Sequence, residues 1–140
     1  MQIKAISLWQ PWASLIAFNY KKYETRSWST NYRGKILICS AKISKPYLKD
    51  IANYLVNKHE LNNFYKDWNE FPFGKAIAIC NLTDCIKITP ELLAKQSQLE
   101  IDCGNWELER YAWRLKDIKP IIPFPIKGKQ KFFNTNYNHQ

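Results

Sequence analysis

Glycine is scarce, four residues in 140, and no two of them fall into the close spacing of a phosphate-cradling loop. Histidine is scarcer still: His59 and His139 support no Ser–His–Asp constellation. The four cysteines, at 39, 80, 85 and 103, form no C-x-x-C pair and have no histidine nearby. A zinc centre is therefore not expected, and neither a metal nor a cofactor is predicted. Cys39 and Cys80 lie inside the apolar runs KILICSA and AIAICNL, where a reduced thiol behaves as a small hydrophobe. Long apolar runs are also missing. None approaches the roughly 18 residues of a membrane span, and the start MQIKAISLWQPW has no basic region leading into an apolar stretch. The expectation is a soluble, cytoplasmic protein with no membrane partner. Arginine is the last scarcity, four residues against seventeen lysines. A guanidinium offers a planar fork that lysine cannot imitate, so at least two of Arg26, Arg33, Arg110 and Arg114 should make fixed, directional contacts.

Aromatic residues, by contrast, are plentiful. They make up 15% of the chain and include six tryptophans. Large rings fill a small core well, but core packing cannot be assumed to absorb all of them. Net charge is +9, which points to a polyanionic partner; a compositional bias toward Lys, Asn and Ile would give the same total. Residues 1–59 carry ten basic and two acidic side chains, residues 60–109 four and nine, and residues 110–140 seven and one. If the fold joins the two ends, Lys35, Arg110, Lys127 and Lys129 should share a positive face, with the acidic middle turned away.

Hydrophobic periodicity divides the chain into elements. IKAISL reads as a strand. Residues 10–17 read as a short helix with Pro11 at its first position, where a missing N–H is harmless. Lys22 to Trp28 has strand composition, with Lys22, Glu24 and Arg26 on one side and Thr25 on the other. KILICSA is a strand, and residues 46–58 place Leu48, Ile51, Ala52, Leu55 and Val56 on one helical face. Residues 59–74 are irregular and aromatic. KAIAICNL and CIKI continue the sheet, and Thr89-Pro90-Glu91 starts a helix reaching about residue 97. RYAWRL is a strand, after which Pro120, Pro123 and Pro125 impose an extended crossing segment. Phe132 and Phe133 return to the sheet. The pattern predicts an α+β fold, a small β-barrel with two or three flanking helices. It occupies residues 1–133 as a single domain, with residues 134–140 as a flexible tail.

Two groups of motifs carry a resemblance. The first is Ser7-Leu8-Trp9-Gln10-Pro11-Trp12-Ala13, then Lys21-x-x-Glu24-x-Arg26-Ser27-Trp28, then Arg33-Gly34. The second is Gly104-Asn105-Trp106, Arg110-Tyr111-Ala112-Trp113-x-Leu115, Pro123-x-Pro125 and Gly128-x-Gln130. Together they resemble the ASCH family of the PUA-like superfamily, covering residues 3–42 and 104–133 well and 74–89 loosely. The family's glycine before Lys21 is Asn19 here, which still suits a left-handed turn.

The resemblance implies a PUA-like barrel with a cleft beside the first helix, where RNA, or a modified nucleoside or nucleotide, would bind. The residues implied are Trp9, Gln10, Pro11, Lys21, Glu24, Arg26, Trp28 and Arg110. Lys21 and Arg26 would hold an anionic or carbonyl-bearing ligand, and Glu24 would accept from an exocyclic amine. Trp9 or Trp28 would stack on an extruded base, and free N–H groups at the helix start would add to an anion site. Two structural alternatives stay open here: Glu24 and Arg26 as an ion pair holding strand to helix, and the tryptophans as core.

Some ASCH members are amidohydrolases that deacetylate N4-acetylcytidine, and nuclease activity also occurs in the family. The catalytic set is matched only in part, with Lys21 and Glu24 as the candidates. Glu24 stands where those enzymes have a nucleophilic threonine, and for their distal acid only Asp84 and Glu109 offer themselves. A nucleic-acid-binding module, a small hydrolase of acylated nucleosides or RNA, and an adaptor for a protein partner all remain in view.

Overall fold

The computed structural model describes residues 1–129 and 132–138. Gln130 and His139, both used in reading the sequence, lie outside that range. The chain runs β1 (Gln2–Leu8), α1 (Trp12–Ala17), β2 (Tyr23–Arg26), β3 (Gly34–Ser40) and α2 (Pro46–His59). After a single 3-10 turn at Trp68–Glu70 it continues as β4 (Lys75–Lys87), α3 (Pro90–Ala94), α4 (Gln98–Asp102), β5 (Tyr111–Pro125) and β6 (Phe132–Asn136). All six strands form one mixed sheet in the order β2-β5-β4-β3-β1-β6. Only β1 and β3 are parallel, and the remaining neighbours are antiparallel.

Strand β3 shows why residues 36–39 of KILICSA are apolar at every position. Ile36 and Ile38 enter the core under α1, while Leu37 and Cys39 enter a second core on the opposite face with Ile3, Ala5 and Phe133. A strand buried on both faces needs no polar alternation. Helix α1 is similarly enclosed. Ile16 packs on the sheet, whereas Leu15 packs against Ala52 and Leu55 of α2 and the aromatic loop residues Phe64 and Phe71. The aromatic segment 59–74 is thus the outer wall of a third core.

The α+β class is as expected, but the barrel does not close. Edge strands β2 and β6 share no hydrogen-bonded ladder among the described residues. Side chains fill the seam instead: Trp28 meets Trp113 edge-on at 4.7 Å and Phe132 at 6.0 Å, and Tyr32 meets Phe132 at 5.7 Å. These rings occupy the place where a ladder would bring two backbones to roughly 4.8 Å.

Among the described residues four α-helices form rather than two or three. The predicted helix after Thr89 ends at Ala94, and a second begins at Gln98, capped by Ser97, whose hydroxyl accepts from the Glu100 N–H. Pro11 is the N-cap of α1, one position earlier than predicted. The proline-rich stretch is strand rather than crossing segment, with Pro120 opposite Ala78 and Pro125 opposite Lys75. It is tolerated because β2 covers β5 only at Tyr111–Arg114, leaving an outer edge beyond, where a missing N–H breaks no ladder. KAIAICNL and CIKI belong to a single 13-residue strand with three register shifts against β5. Such bulges bend and twist a long strand. The predicted tail is also partly ordered. Residues 134–136 pair with β1 in β6, and the buried Tyr137 donates its N–H to the Met1 carbonyl.

Candidate functional site

Lys21, Glu24 and Arg26 come together. By strand parity Lys21 should point away from the other two, and the turn after α1 re-aims it. Asn19 adopts φ 67°, and the N–H groups of Tyr20 and Lys21 both donate to the Leu15 carbonyl, at 2.9 and 3.0 Å. An asparagine accepts this left-handed geometry at little cost. Lys21 is then only 1% exposed, and its Nζ lies 2.6 Å from the Cys103 carbonyl and 3.6 Å from Glu24 Oε1. The carbonyl is one of those left over at the C-terminal end of α4, where a cation is favoured. Arg26 Nε donates to Glu24 Oε2 at 2.9 Å, and its Nη2 donates to the Ser7 carbonyl at 3.3 Å. Glu24 therefore sits fixed between two cations. A carboxylate has about four lone-pair sites, so acceptor capacity remains for another donor.

Beneath this trio is a carboxylate that strand parity could not reveal. Glu100 is buried; its Oε1 accepts from the Lys22 N–H at 2.9 Å and its Oε2 from the Tyr23 N–H at 3.2 Å. Desolvation pushes its carboxyl above the ordinary range, opposed by those two N–H bonds and by the Lys21 charge. Its work is structural: it pins the start of β2 to α4 and so sets where Lys21 and Glu24 stand.

Three contiguous depressions form one groove. The inner one, about 350 Å³, is lined by Trp12, Lys21, Glu24, Thr25, Arg110 and the Cys103–Asn105 segment. The middle one, about 320 Å³, shares Trp12, Glu24, Thr25 and Arg110 with it and adds Ser7, Trp9 and Arg26. An outer one of about 770 Å³ begins at Ser7, Trp9 and Arg26 and reaches Lys42, Lys127 and Lys129. Arg110 is fixed across the inner half, its Nε on the Asn105 carbonyl and its Nη2 on the Thr25 carbonyl, both at 3.2 Å. With Arg26 and with Arg33, whose Nη1 donates to the Thr30 and Tyr32 carbonyls, three of the four arginines make the directional contacts expected of them.

Several predicted site residues fall elsewhere. Gln10 is fully buried and its amide is consumed: Nε2 donates to Ser14 Oγ and the Pro72 carbonyl, while Oε1 accepts from the Ser14 N–H. Pro11 is buried beside it. The helix start offers no anion site, because the Ala13 N–H already donates to the Trp9 carbonyl and the Ser14 N–H to Gln10. Trp28 belongs to the seam. Trp9, at 39% exposed, does line the groove. Asp84 pairs with Arg33 and Arg114, and Glu109 with Lys87. Neither lines the groove among the described residues.

Conversely, Thr25 lines the groove despite its parity, although it is buried and its Oγ1 accepts from the Asn105 N–H at 3.2 Å. The Gly104–Asn105 segment comes from the acidic middle of the chain, which the charge partition had turned away. The motif Gly104-Asn105-Trp106 was the available signal for it. Lys35 lines a separate depression with Lys119 and Tyr137. Among the described residues no three His, Cys, Asp or Glu side chains converge as metal ligands, and no helix is long and apolar enough to cross a membrane. Burial pushes the thiols of Cys39, Cys80 and Cys103 up to about 12, far from the reactive thiolate.

The family model described as ASCH domain matches residues 6–125. Activating signal cointegrator 1 from Homo sapiens and its Mus musculus counterpart are each 28% identical over 134 residues, covering 94% of this chain. The chain spans only 22% of the length of these curated relatives. The crystal structure of ASCH from Zymomonas mobilis superposes with a TM-score of 0.57 at 16% identity, covering 95% of this chain and 87% of that one. A point variant of the Zymomonas mobilis protein gives 0.55 at the same identity, covering 95% and 89%. At that identity the likeness is one of fold.

Proposed function

Because the chain belongs to the ASCH domain family, we propose that its groove is a recognition site for an unpaired nucleobase, RNA being the favoured source. One observation carries the reading: a carboxylate, Glu24, is locked between Lys21 and Arg26 at the junction of the inner and middle depressions. A carboxylate acceptor with a cationic donor beside it complements the edge of a base that sets an exocyclic amine beside a ring acceptor. Cytosine fits this pairing, its amine toward Glu24 and its adjacent N3 and O2 acceptors toward one flanking cation. Trp9 supplies a ring face on which an extruded base can stack, a contact worth roughly 1–3 kcal/mol in single-strand sites. Base edges are open to such contacts in unpaired RNA rather than in the deep groove of an A-form helix.

The test is titration of the four nucleoside monophosphates into the wild-type protein and into Glu24→Gln and Arg26→Lys. Loss of the preferred base's advantage in Glu24→Gln, by about 1–3 kcal/mol, is expected. Arg26→Lys keeps the charge but removes the fork that spans Glu24 and Ser7, so it should weaken binding more than folding. If Arg26→Lys unfolds the protein while its folded fraction binds normally, the trio is structural and the reading fails.

A second reading, hydrolysis of an acylated nucleoside, draws on one observation: Thr25 lines the same cavity as Lys21 and Glu24. Turnover of N4-acetylcytidine that disappears in Lys21→Ala with the fold retained would carry that reading. Binding with steep salt dependence and no turnover carries the first. A module that only contacts a protein partner shows neither.

A further inference from the structure

The outer half of the groove differs in character from the inner half. Among the described residues lining it are four cations, Arg26, Lys42, Lys127 and Lys129, and no carboxylate. They converge there from distant parts of the chain: Arg26 from β2, Lys42 just after β3, and Lys127 and Lys129 after β5.

Two glycines hold this arrangement. At Gly74 (φ +68°) an added Cβ would stand 2.7 Å from Lys42 Cγ and 3.2 Å from its Cε, so the lysine stem lies along bare backbone. The Gly74 carbonyl accepts from the Ile126 N–H at 3.1 Å, tying the Lys127–Lys129 segment to the same spot. At Gly128 an added Cβ would stand 3.0 Å from Ser7 Oγ, so that segment rests directly on the end of β1. Ser7 in turn gives its carbonyl to Arg26. The three lysines and Arg26 are thus joined through Ser7 and Gly74 into one rim, continuous with the base site at Trp9.

A free nucleoside has no use for four cations beyond the base site, and a nucleotide strand does. Resting on the base-recognition reading above, we propose that the natural ligand is a single-stranded oligonucleotide. One base enters the inner pocket at Lys21 and Glu24, the neighbouring nucleotide lies against Trp9, and the following phosphodiesters run along Arg26, Lys42, Lys127 and Lys129. Specificity then resides at the inner end, where the lone carboxylate stands, and affinity at the outer end. A paired duplex cannot deliver a base to the inner pocket without opening.

The test is fluorescence anisotropy of the full chain with labelled single-stranded oligonucleotides of two to eight nucleotides, RNA and DNA in separate arms, across a salt series. Two triple variants are compared with wild type: Lys42→Ala/Lys127→Ala/Lys129→Ala, and Lys49→Ala/Lys66→Ala/Lys95→Ala, which removes equal charge outside the groove. Each phosphate neutralised contributes about 0.7 to the slope of log K against log salt for a single strand. The groove variant should therefore lose about 2 from that slope and at least tenfold in affinity, and the control variant should lose far less of either. Equal loss in both variants, or none in the groove variant, overturns the strand path. A blunt duplex of the same length competing as well as the single strand overturns it too. The base site is judged separately, by wild-type binding of mononucleotides. Mononucleotide binding with no gain on lengthening the ligand refutes this inference and leaves the base site standing. Strand binding that ignores Glu24→Gln in every sequence refutes the base site and leaves the path.

Discussion

Gly104 shows how much a single position can decide. A Cβ there would stand 3.2 Å from Lys21 Nζ, 3.4 Å from Trp106 Nε1 and 3.5 Å from Thr25 Oγ1, at the floor of the inner pocket. Its backbone lies outside the left-handed region, so alanine is conformationally permitted and lowers the entropy of the unfolded chain. Gly104→Ala should therefore keep stability within about 1 kcal/mol of wild type while displacing Lys21 or filling the pocket. Urea denaturation beside nucleotide titration separates the two effects. The cysteines give a second residue-scale test. Three are buried with thiols pushed up to about 12, and Cys85 is half-exposed. Native protein near neutral pH should be alkylated by iodoacetamide at Cys85 alone and at all four positions once unfolded, as mass spectrometry of the adducts would show. Rapid labelling of Cys103 in the native state would mean that the inner pocket opens wider than the structure shows.

Among the elements, α4 does most to place the site although it is only five residues long. Its Glu100 pins the start of β2, and the Cys103 carbonyl at its end receives Lys21. Its last residue, Asp102, is held by Lys58 and His59 of α2, each at 2.8 Å, and by Gln98. Burial opposes ionisation of Asp102, but those three hydrogen bonds outweigh it and hold the carboxyl at about 2 against an ordinary 3.8. A carboxyl lowered by folding contributes stability that is complete above the unfolded value and lost as pH falls toward the folded one. Wild-type protein should accordingly lose this contribution between about pH 4 and pH 2. Asp102→Asn should start less stable near neutral pH, and the gap between the two proteins should narrow across that window. Denaturation midpoints at a series of acid pH values would show it; a constant gap would mean that the α2–α4 link contributes nothing through charge.

On the scale of the whole molecule, the open seam is the distinctive feature. Trp28, Trp113, Phe132 and Tyr32 join the two edges of the sheet through ring contacts where a closed barrel has a ladder. Trp113 is fully buried at its centre. Trp113→Ala should cost about 3–5 kcal/mol, whereas Trp9→Ala, at the groove surface, should change stability by no more than about 0.5 kcal/mol and act on ligand binding instead. Calorimetry of the two variants distinguishes the tryptophan that holds the fold from the one available to a ligand.

The sequence by itself determined the elements whose physics is local. The unbroken apolar run of β3, the amphipathic face of α2 and the Thr89 cap of α3 each depend on neighbours within a few residues, and each was legible. So was the grouping of Lys21, Glu24 and Arg26, because the motif places them together and Asn19 permits the turn that joins them. Tertiary structure alone decided which polar side chains remain open to a ligand. Gln10 looked like a site residue until the Pro72 carbonyl, 62 positions away, met its amide. Thr25 looked averted, yet it lines the groove, with its hydroxyl taken by the N–H of Asn105, 80 positions away. Glu100 gave no sign at all, since its partners are backbone N–H groups at Lys22 and Tyr23. Hydrogen-bond capacity is written in the side chain, but whether it is already spent depends on what the chain brings alongside from far away.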